Sequence, residues 1–328
     1  MTLIINHSQL KQCIELSSNL IPIIENAFIQ LSNGNTTMPP ILRLDIKEYH
    51  GEADVKTAYI KGLDSFAIKV ASGFFNNPSI GLPTSSGLMI LLDSKTGLLK
   101  AVLLDKGYLT DIRTAVAGSI ASKYLSNENS TTVAIIGTGM QARLQLSSLC
   151  LVRNITHVNI WGRDESKIDK YIEDMKIFRE FKLAKCYSVE SAVKESEIII
   201  TTTPSNSPLI QNQWLKSGQH ITAMGSDAEH KNELYPEIIT SCNCYVPDNL
   251  DQTRILGELN HAITKKIIDK DKKFTELGEI IKNRSLGRKS ENDITVCDLT
   301  GTGVQDTAIA RYAFDLAKSK NLGMEINE

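Results

Sequence analysis

Hydrophobic and polar positions change their rhythm near residue 126. Before it the apolar residues come in short alternating runs: "DVKTAYIKG", "SFAIKVAS" and "GLMILLDSKTGLLKAVLLD". Such runs between glycine turns predict strands, and "SKTG" predicts the hairpin turn that joins the last two. Upstream, "NLIPIIENAFIQLSNGN" puts Leu20, Ile23, Ile24, Phe28 and Leu31 at helical spacing and stops at Asn-Gly. Pro-Pro holds "TMPPILRLDI" extended. "YLTDIRTAVAGSIASKYL" predicts a helix of small residues with Thr110 or Asp111 as its N-cap. After "SNENS" the runs become continuous: "TTVAIIG", "HVNIWG", "SEIIITTT", "QHITAMG", "CNCYVPD" and "DITVCDLTG", with helical or loop segments between them. That alternation predicts a parallel, doubly wound sheet. The tail "DTAIARYAFDLAKSKNLG" is amphipathic and is expected to leave this sheet and pack on the N-terminal part. The expected fold class is therefore α/β. A Rossmann-type doubly wound domain covers 127–305, beside a strand-rich domain made of 1–126 together with 306–328.

Composition narrows the functional classes. A chain of 328 residues has room for about two domains. A net charge of −2 gives no electrostatic reason to expect nucleic acid or an anionic membrane as partner. No apolar run approaches the roughly 20 residues that span a bilayer, and "MTLIINHSQLKQC" lacks the basic and apolar regions of a signal peptide. The expectation is a cytoplasmic protein. Cys13, Cys150, Cys186, Cys242, Cys244 and Cys297 are scattered, and the histidines form no ligand cluster, so reduced thiols and no metal are expected.

The chemistry begins in "TTVAIIGTGMQARLQL". Gly137, Gly139 and Ala142 make G-x-G-x-x-A between a strand and a helix, with Thr138, Met140 and Gln141 in the same turn. Gly137 permits the tight turn and Gly139 lets the backbone approach a pyrophosphate. Ala142 lets helix and strand pack closely, and the helix N-terminus stabilises the anion. The next strand ends in Trp161 and Gly162, followed by Arg163 and Lys167. A NAD site places an acid at that strand end to accept from the ribose 2′-hydroxyl. Its absence, with a guanidinium beside it, favours NADP(H), because arginine binds phosphate bidentately. Asp164 and Glu165 keep NAD(H) as the alternative, since either could turn to the ribose. Thr203 and Gly225 at later strand ends, and Gly301 and Gly303 in "DLTGTGVQD", complete the expected cofactor contacts.

Arg43, Lys69 and Arg113 are cations among apolar neighbours, and together they suit capture of a carboxylate. A cation on the first turn of a helix opposes the macrodipole, so Arg113 in particular points to an anion nearby. Asp227 follows a strand end, where α/β sheets bind ligands; a helix N-cap is the competing role for it.

These stretches, with "PPILRLDI" and "AMGSDAEHKNEL", resemble the ornithine cyclodeaminase/μ-crystallin family along nearly the whole chain. "MPPILRLDI", "DVKTAYIKGLDSFAIKV" and "GELNHAI" are most similar to its ectoine-utilisation protein C and ketimine reductase branches. The resemblance implies a homodimer formed by the strand-rich domain, a carboxylate held by Arg43, Lys69 and Arg113, and Asp227 as acid/base. It also implies Lys69 in the catalytic set, and the "TGTG" turn closing over the cofactor. Cyclodeaminases of the family carry an acid where this chain has Gly162. The expected activity is thus NADPH-dependent reduction of a small imino acid such as Δ1-pyrroline-2-carboxylate to L-proline. Ornithine cyclodeamination, iminosuccinate reduction and ligand binding without turnover are the alternatives.

Overall fold

The computed structural model describes residues 1–178 and 180–326. In chain order, β1 (Thr2–Asn6), α1 (His7–Cys13) and α2 (Ile21–Ser32) lead to β2 (Thr36–Thr37) and β3 (Leu42–Ile46). Then come β4 (Gly51–Ile60), β5 (Ser65–Phe74), β6 (Ser85–Asp93), β7 (Leu99–Leu104) and α3 (Tyr108–Leu125). The continuous apolar runs follow as β8 (Thr132–Ile136), α4 (Met140–Leu149), β9 (His157–Trp161), α5 (Glu165–Phe178), β10 (Lys182–Lys185), α6 (Val189–Lys194), β11 (Ile198–Thr201) and β12 (His220–Ala223). Next are α7 (Glu237–Ser241), β13 (Cys244–Pro247), α8 (Leu250–Thr253), α9 (Gly257–Thr264), α10 (Leu277–Lys282) and β14 (Thr295–Asp298). The chain ends with α11 (Gly303–Ser319) and β15 (Met324–Ile326).

Two compact units result. The first holds Met1–Arg113 and the C-terminal stretch from Thr302; the second holds Thr114–Gly301. The sequence places the boundaries at 126 and 306, whereas these units meet at 113/114 and 301/302. The first junction falls inside α3, which the sequence treats as one indivisible helix.

In the first unit the sheet runs β15-β1-β7-β6-β5-β4-β2, with β3 also paired to β4. The β4–β5, β5–β6 and β6–β7 pairs are antiparallel, as alternation and the hairpin require. Helix α11 lies against β4, β5 and α2. It closes a core of Ala27, Leu31, Ala58, Ile60 and Val304. Close approach explains Gly303: a Cβ there would stand 2.4 Å from the Thr57 carbonyl oxygen.

The α3 N-terminus differs from its expected place. The helix begins at Tyr108, and the buried Asp105 carboxylate accepts from the Leu109 N–H at 2.8 Å. Neither Thr110 nor Asp111 is the cap. Lys106 and Gly107 both take positive φ and turn the chain so that Asp105 reaches the helix end. Arg113 consequently sits in the second turn of α3, not the first.

In the second unit seven strands follow the order β10-β9-β8-β11-β12-β14-β13, and every pair is parallel. Alternate residues of each strand serve opposite faces. Val133 and Ile135 pack with Leu146, Tyr171 and Met175 on one side. Ala134 and Ile136 pack with Ile221, Leu259 and Val296 on the other. Burial of both faces is what the continuous apolar runs encode. Strand order reverses between β8 and β11, so their carboxyl ends frame the crevice where such sheets take ligands.

Candidate active site

In the first unit, Lys69 stands on β5 and Arg113 on α3, and both are buried. The structure brings them to one point. Lys69 Nζ lies 3.0 Å from Asp306 Oδ2, and Arg113 Nε lies 2.9 Å from Asp306 Oδ1. Arg113 Nη1 donates to Gln305 Oε1 at 3.0 Å. Lys56, also buried, is the cross-strand partner of Lys69 on β4. Burial pulls the Lys69 ammonium down to about 8, with Arg113 and Lys56 acting in the same sense and Asp306 against it. Burial also raises the Asp306 carboxyl, but Arg113, Lys69 and Lys56 outweigh it and hold it below its ordinary value. The anion that Arg113 called for is thus a residue of the chain. Asp306 and Gln305 lie inside the "DLTGTGVQD" stretch, where the glycines drew the reading to backbone and away from these side chains.

Arg43 is placed differently. Its guanidinium meets Asp45 at 3.0 Å, Glu52 at 2.5 Å and Asp54 at 3.6 Å. An incoming carboxylate would have to compete with three resident ones. The register sets this up, since Arg43 lies opposite Asp54 on β4.

In the second unit the expected cradle has the required form. Gly137 takes φ +122°, with its amide donating to the Trp161 carbonyl at 2.9 Å. A Cβ at Gly137 would collide with the Thr202 hydroxyl. Gly139 is the N-cap of α4 and makes no side-chain cap; a Cβ there would meet nothing within 4 Å. An open, uncapped helix N-terminus of this kind fits a dinucleotide pyrophosphate. Ala142 is fully buried, and Met140 and Arg163 are exposed. Arg143 donates to the Thr138 and Gly139 carbonyls and pairs with Asp174 at 2.7 Å, which stiffens the turn from below.

Just past β9, a side chain on Gly162 would press on Thr138. The two acids that could have turned inward are engaged elsewhere. Asp164 accepts from the Ser166 amide and hydroxyl at the head of α5, and Glu165 pairs with Lys185. Lys167 is exposed on the same helix.

Four buried carboxylates organise the strand ends. Glu233 accepts from the Thr201 hydroxyl at 2.6 Å, the Thr203 amide and hydroxyl at 2.6 and 2.7 Å, and the Gly225 amide at 2.7 Å. Thr203 and Gly225 are thereby fixed, and a Cβ on Gly225 would strike the Thr203 carbonyl. Asp248 accepts from Thr300 and from the Gly301 amide at 2.8 Å, so the glycine turn is held at positive φ. Glu258 accepts from the Glu233 and Leu234 amides, and Asp298 accepts from Tyr245 and the Glu258 amide. Burial raises all four, Asp298 to about 7. They fall in "AMGSDAEHKNEL", "CNCYVPD", "GELNHAI" and "DITVCDLTG", but no shared spacing marks them as a set.

Asp227 is half-exposed (46 %) and pairs with the buried Lys231 at 2.7 Å. The segment after it is a turn, not a helix, so the N-cap role is absent. Among the described residues no cluster of histidine, cysteine, aspartate or glutamate could hold a metal ion. Nor is any helix among them long and apolar enough to cross a membrane.

Known proteins agree with this architecture. The chain is 50 % identical to an uncharacterized cyclodeaminase of Sinorhizobium fredii, over 98 % of this chain and 97 % of that one. It is 34 % identical to an alanine dehydrogenase of Archaeoglobus fulgidus, over 99 % and 98 %. Among solved structures, the Thermococcus litoralis Δ1-pyrroline-2-carboxylate reductase in complex with NADH and L-proline superposes with a TM-score of 0.92 at 27 % identity, covering 99 % of this chain and 100 % of that one. The sequence profile of the ornithine cyclodeaminase/mu-crystallin family matches residues 2–321, and the chain belongs to that family.

Proposed function

We propose that the protein is a nicotinamide-dependent reductase of small α-imino acids, with Δ1-pyrroline-2-carboxylate as the test substrate and L-proline as its product. The observation that carries this reading is the pair of buried cations, Lys69 and Arg113, converging on one carboxylate. A substrate carboxylate binds the same charge-assisted donors. The G-x-G-x-x-A cradle would hold the cofactor, which supplies hydride when bound. Lys69 and Arg113 orient the C=N carbon, and a fixed approach lowers the entropic part of the barrier. Asp227, whose carboxylate is held by Lys231, relays the proton that the imine nitrogen needs. NADP(H) is the favoured cofactor, because Asp164 and Glu165 are engaged by Ser166 and Lys185 while Arg163 is exposed at the same strand end. The Thermococcus relative, whose structure contains NADH, supports NAD(H) as the other arm of the test.

The experiment is oxidation of NADPH and of NADH against Δ1-pyrroline-2-carboxylate, Δ1-piperideine-2-carboxylate, iminosuccinate and pyruvate with methylamine. Turnover with an imine and faster use of NADPH is the expected result. Oxidation of neither cofactor with any of the four overturns the reading. A second reading, cyclodeamination, is favoured by the similarity to the uncharacterized Sinorhizobium cyclodeaminase, and ornithine is its first test substrate. Ammonia release from ornithine without added cofactor would establish it.

The first unit also presents Leu42 and Leu44, 61 % and 57 % exposed, two residues apart on β3. Large apolar side chains on one strand face mark an association surface. We assign it to a homodimer. Sedimentation is expected to give twice the chain mass, and Leu42→Lys/Leu44→Lys is expected to shift the protein to monomer.

A further inference from the structure

We propose that Asp306 is the positioning residue of the carboxylate subsite: its single buried carboxylate bridges Lys69 and Arg113 and fixes the spacing of two cations that would otherwise repel each other. The inference rests on the reading of Lys69 and Arg113 as carboxylate ligands. It concerns what sets their geometry and charge, which that reading leaves open.

The first turn of α11 is built to deliver this side chain. Gly303 lets the helix approach the Thr57 carbonyl. Thr307 then joins two strands: its hydroxyl donates to the Ala58 carbonyl of β4 at 2.8 Å and accepts from the Ala67 amide of β5 at 3.1 Å. Ala67 and Lys69 project from the same face of β5, so the pin sits one repeat from the lysine. Gln305, next to Asp306, takes Arg113 Nη1 while Asp306 faces Nε. Gln305, Asp306 and Thr307 are fully buried. A helix start that is polar yet wholly buried is costly unless its groups are paired; here Asp306 and the Gln305 side-chain carbonyl meet the cations of the subsite, and Thr307 meets the two strands.

The surroundings of Lys69 make the bridge necessary. From β4 it faces Lys56, its direct cross-strand partner. Like charges in that position destabilise a sheet. From α3 it faces Arg113, and from α11 Asp306; its neighbour on β6 is the apolar Met89. Asp306 is the member of this set that favours the ammonium form. It thus spaces the two donors and keeps Lys69 charged near neutrality.

The test is titration of the Lys69 ammonium by NMR in the full-length protein labelled with ¹³C at lysine Cε, the resonance assigned by Lys69→Arg. Asp306→Asn is expected to move the Lys69 midpoint down by about one pH unit or more, and Asp306→Glu to restore most of the shift. With an imino acid as substrate, kcat/KM of Asp306→Asn is expected to fall about tenfold at pH 8 and less than threefold at pH 6. A merely structural role lowers it equally at both. An unchanged Lys69 midpoint in Asp306→Asn, or no recovery in Asp306→Glu, overturns the proposal. If the wild type turns over no imine while the midpoint still moves, the proposed activity fails and the role of Asp306 stands.

Discussion

Lys69→Met is expected to lower kcat/KM for imine reduction by about thirtyfold to several thousandfold. The estimate follows from removing one partner of a buried charge contact, which costs on the order of 2–5 kcal/mol. Methionine keeps the length and apolar stem of lysine, so the loss is that of the charge. Asp306 keeps its contact with Arg113 in this variant, which protects the fold while the subsite loses one donor. The loss should appear in both kcat and KM if, as proposed, the cation both captures the carboxylate and aligns the reacting carbon. Lys69→Arg separates charge from identity. In the wild type, efficiency should decline as pH rises through about 8, where Lys69 gives up its proton. An arginine stays charged there, so the decline should vanish even where the maximal rate is reduced. Steady-state kinetics from pH 6 to 9 read both effects. A Met variant with wild-type efficiency would remove Lys69 from the site.

The sequence made some of this visible and hid the rest for definable reasons. The strands of the second unit were legible because burial on both faces leaves no polar position, so each reads as an unbroken apolar run. The turn before α4 was legible because Gly137 takes a positive φ with no room for a Cβ, a demand that one residue type satisfies. The α3 cap was not, because Thr110 and Asp111 are good caps by type while the working carboxylate, Asp105, reaches the helix across a turn at Lys106 and Gly107. Arg43 carried the right charge, but its three acidic neighbours are set by the register of β3 on β4. Asp306 was hidden by distance: 237 positions separate it from Lys69, and only the return of α11 to β4 and β5 closes that gap. The carboxylates beneath the strand ends were hidden in the same way. Glu233, Asp248, Glu258 and Asp298 look like surface acids until their backbone partners are known.

The last of these groups gives the largest stability effect. Glu258 is buried and accepts three donors: Asn232 Nδ2 at 2.5 Å, the Glu233 amide at 2.9 Å and the Leu234 amide at 3.0 Å. Glu258→Ala strands two backbone amides, while Asn232 retains its bond to the Leu234 carbonyl. A buried donor left unmade costs about 1–3 kcal/mol, and loss of the side chain adds a cavity. A destabilisation of about 4 kcal/mol and an unfolding midpoint lower by roughly 10 °C are expected. The pH dependence has a definite sign. Burial, with Asp298 and Glu233, raises the Glu258 carboxyl well above its ordinary value. The folded state therefore holds a proton that the unfolded chain releases. Stability from this group is complete below the unfolded pKa and is lost as pH rises toward the folded one. The penalty of Glu258→Ala should accordingly be larger at pH 5 than at pH 8; denaturant unfolding at the two pH values measures it, and a penalty that grows toward pH 8 contradicts the assignment. The consequence reaches the cofactor through one further link. Glu258 holds the Glu233 backbone, and the Glu233 side chain holds Thr203 and Gly225 at the ends of two parallel strands. Slackening the first contact frees the second, so NAD(P)H affinity should fall in this variant although Glu258 lies beneath the strand ends and not among the proposed cofactor contacts.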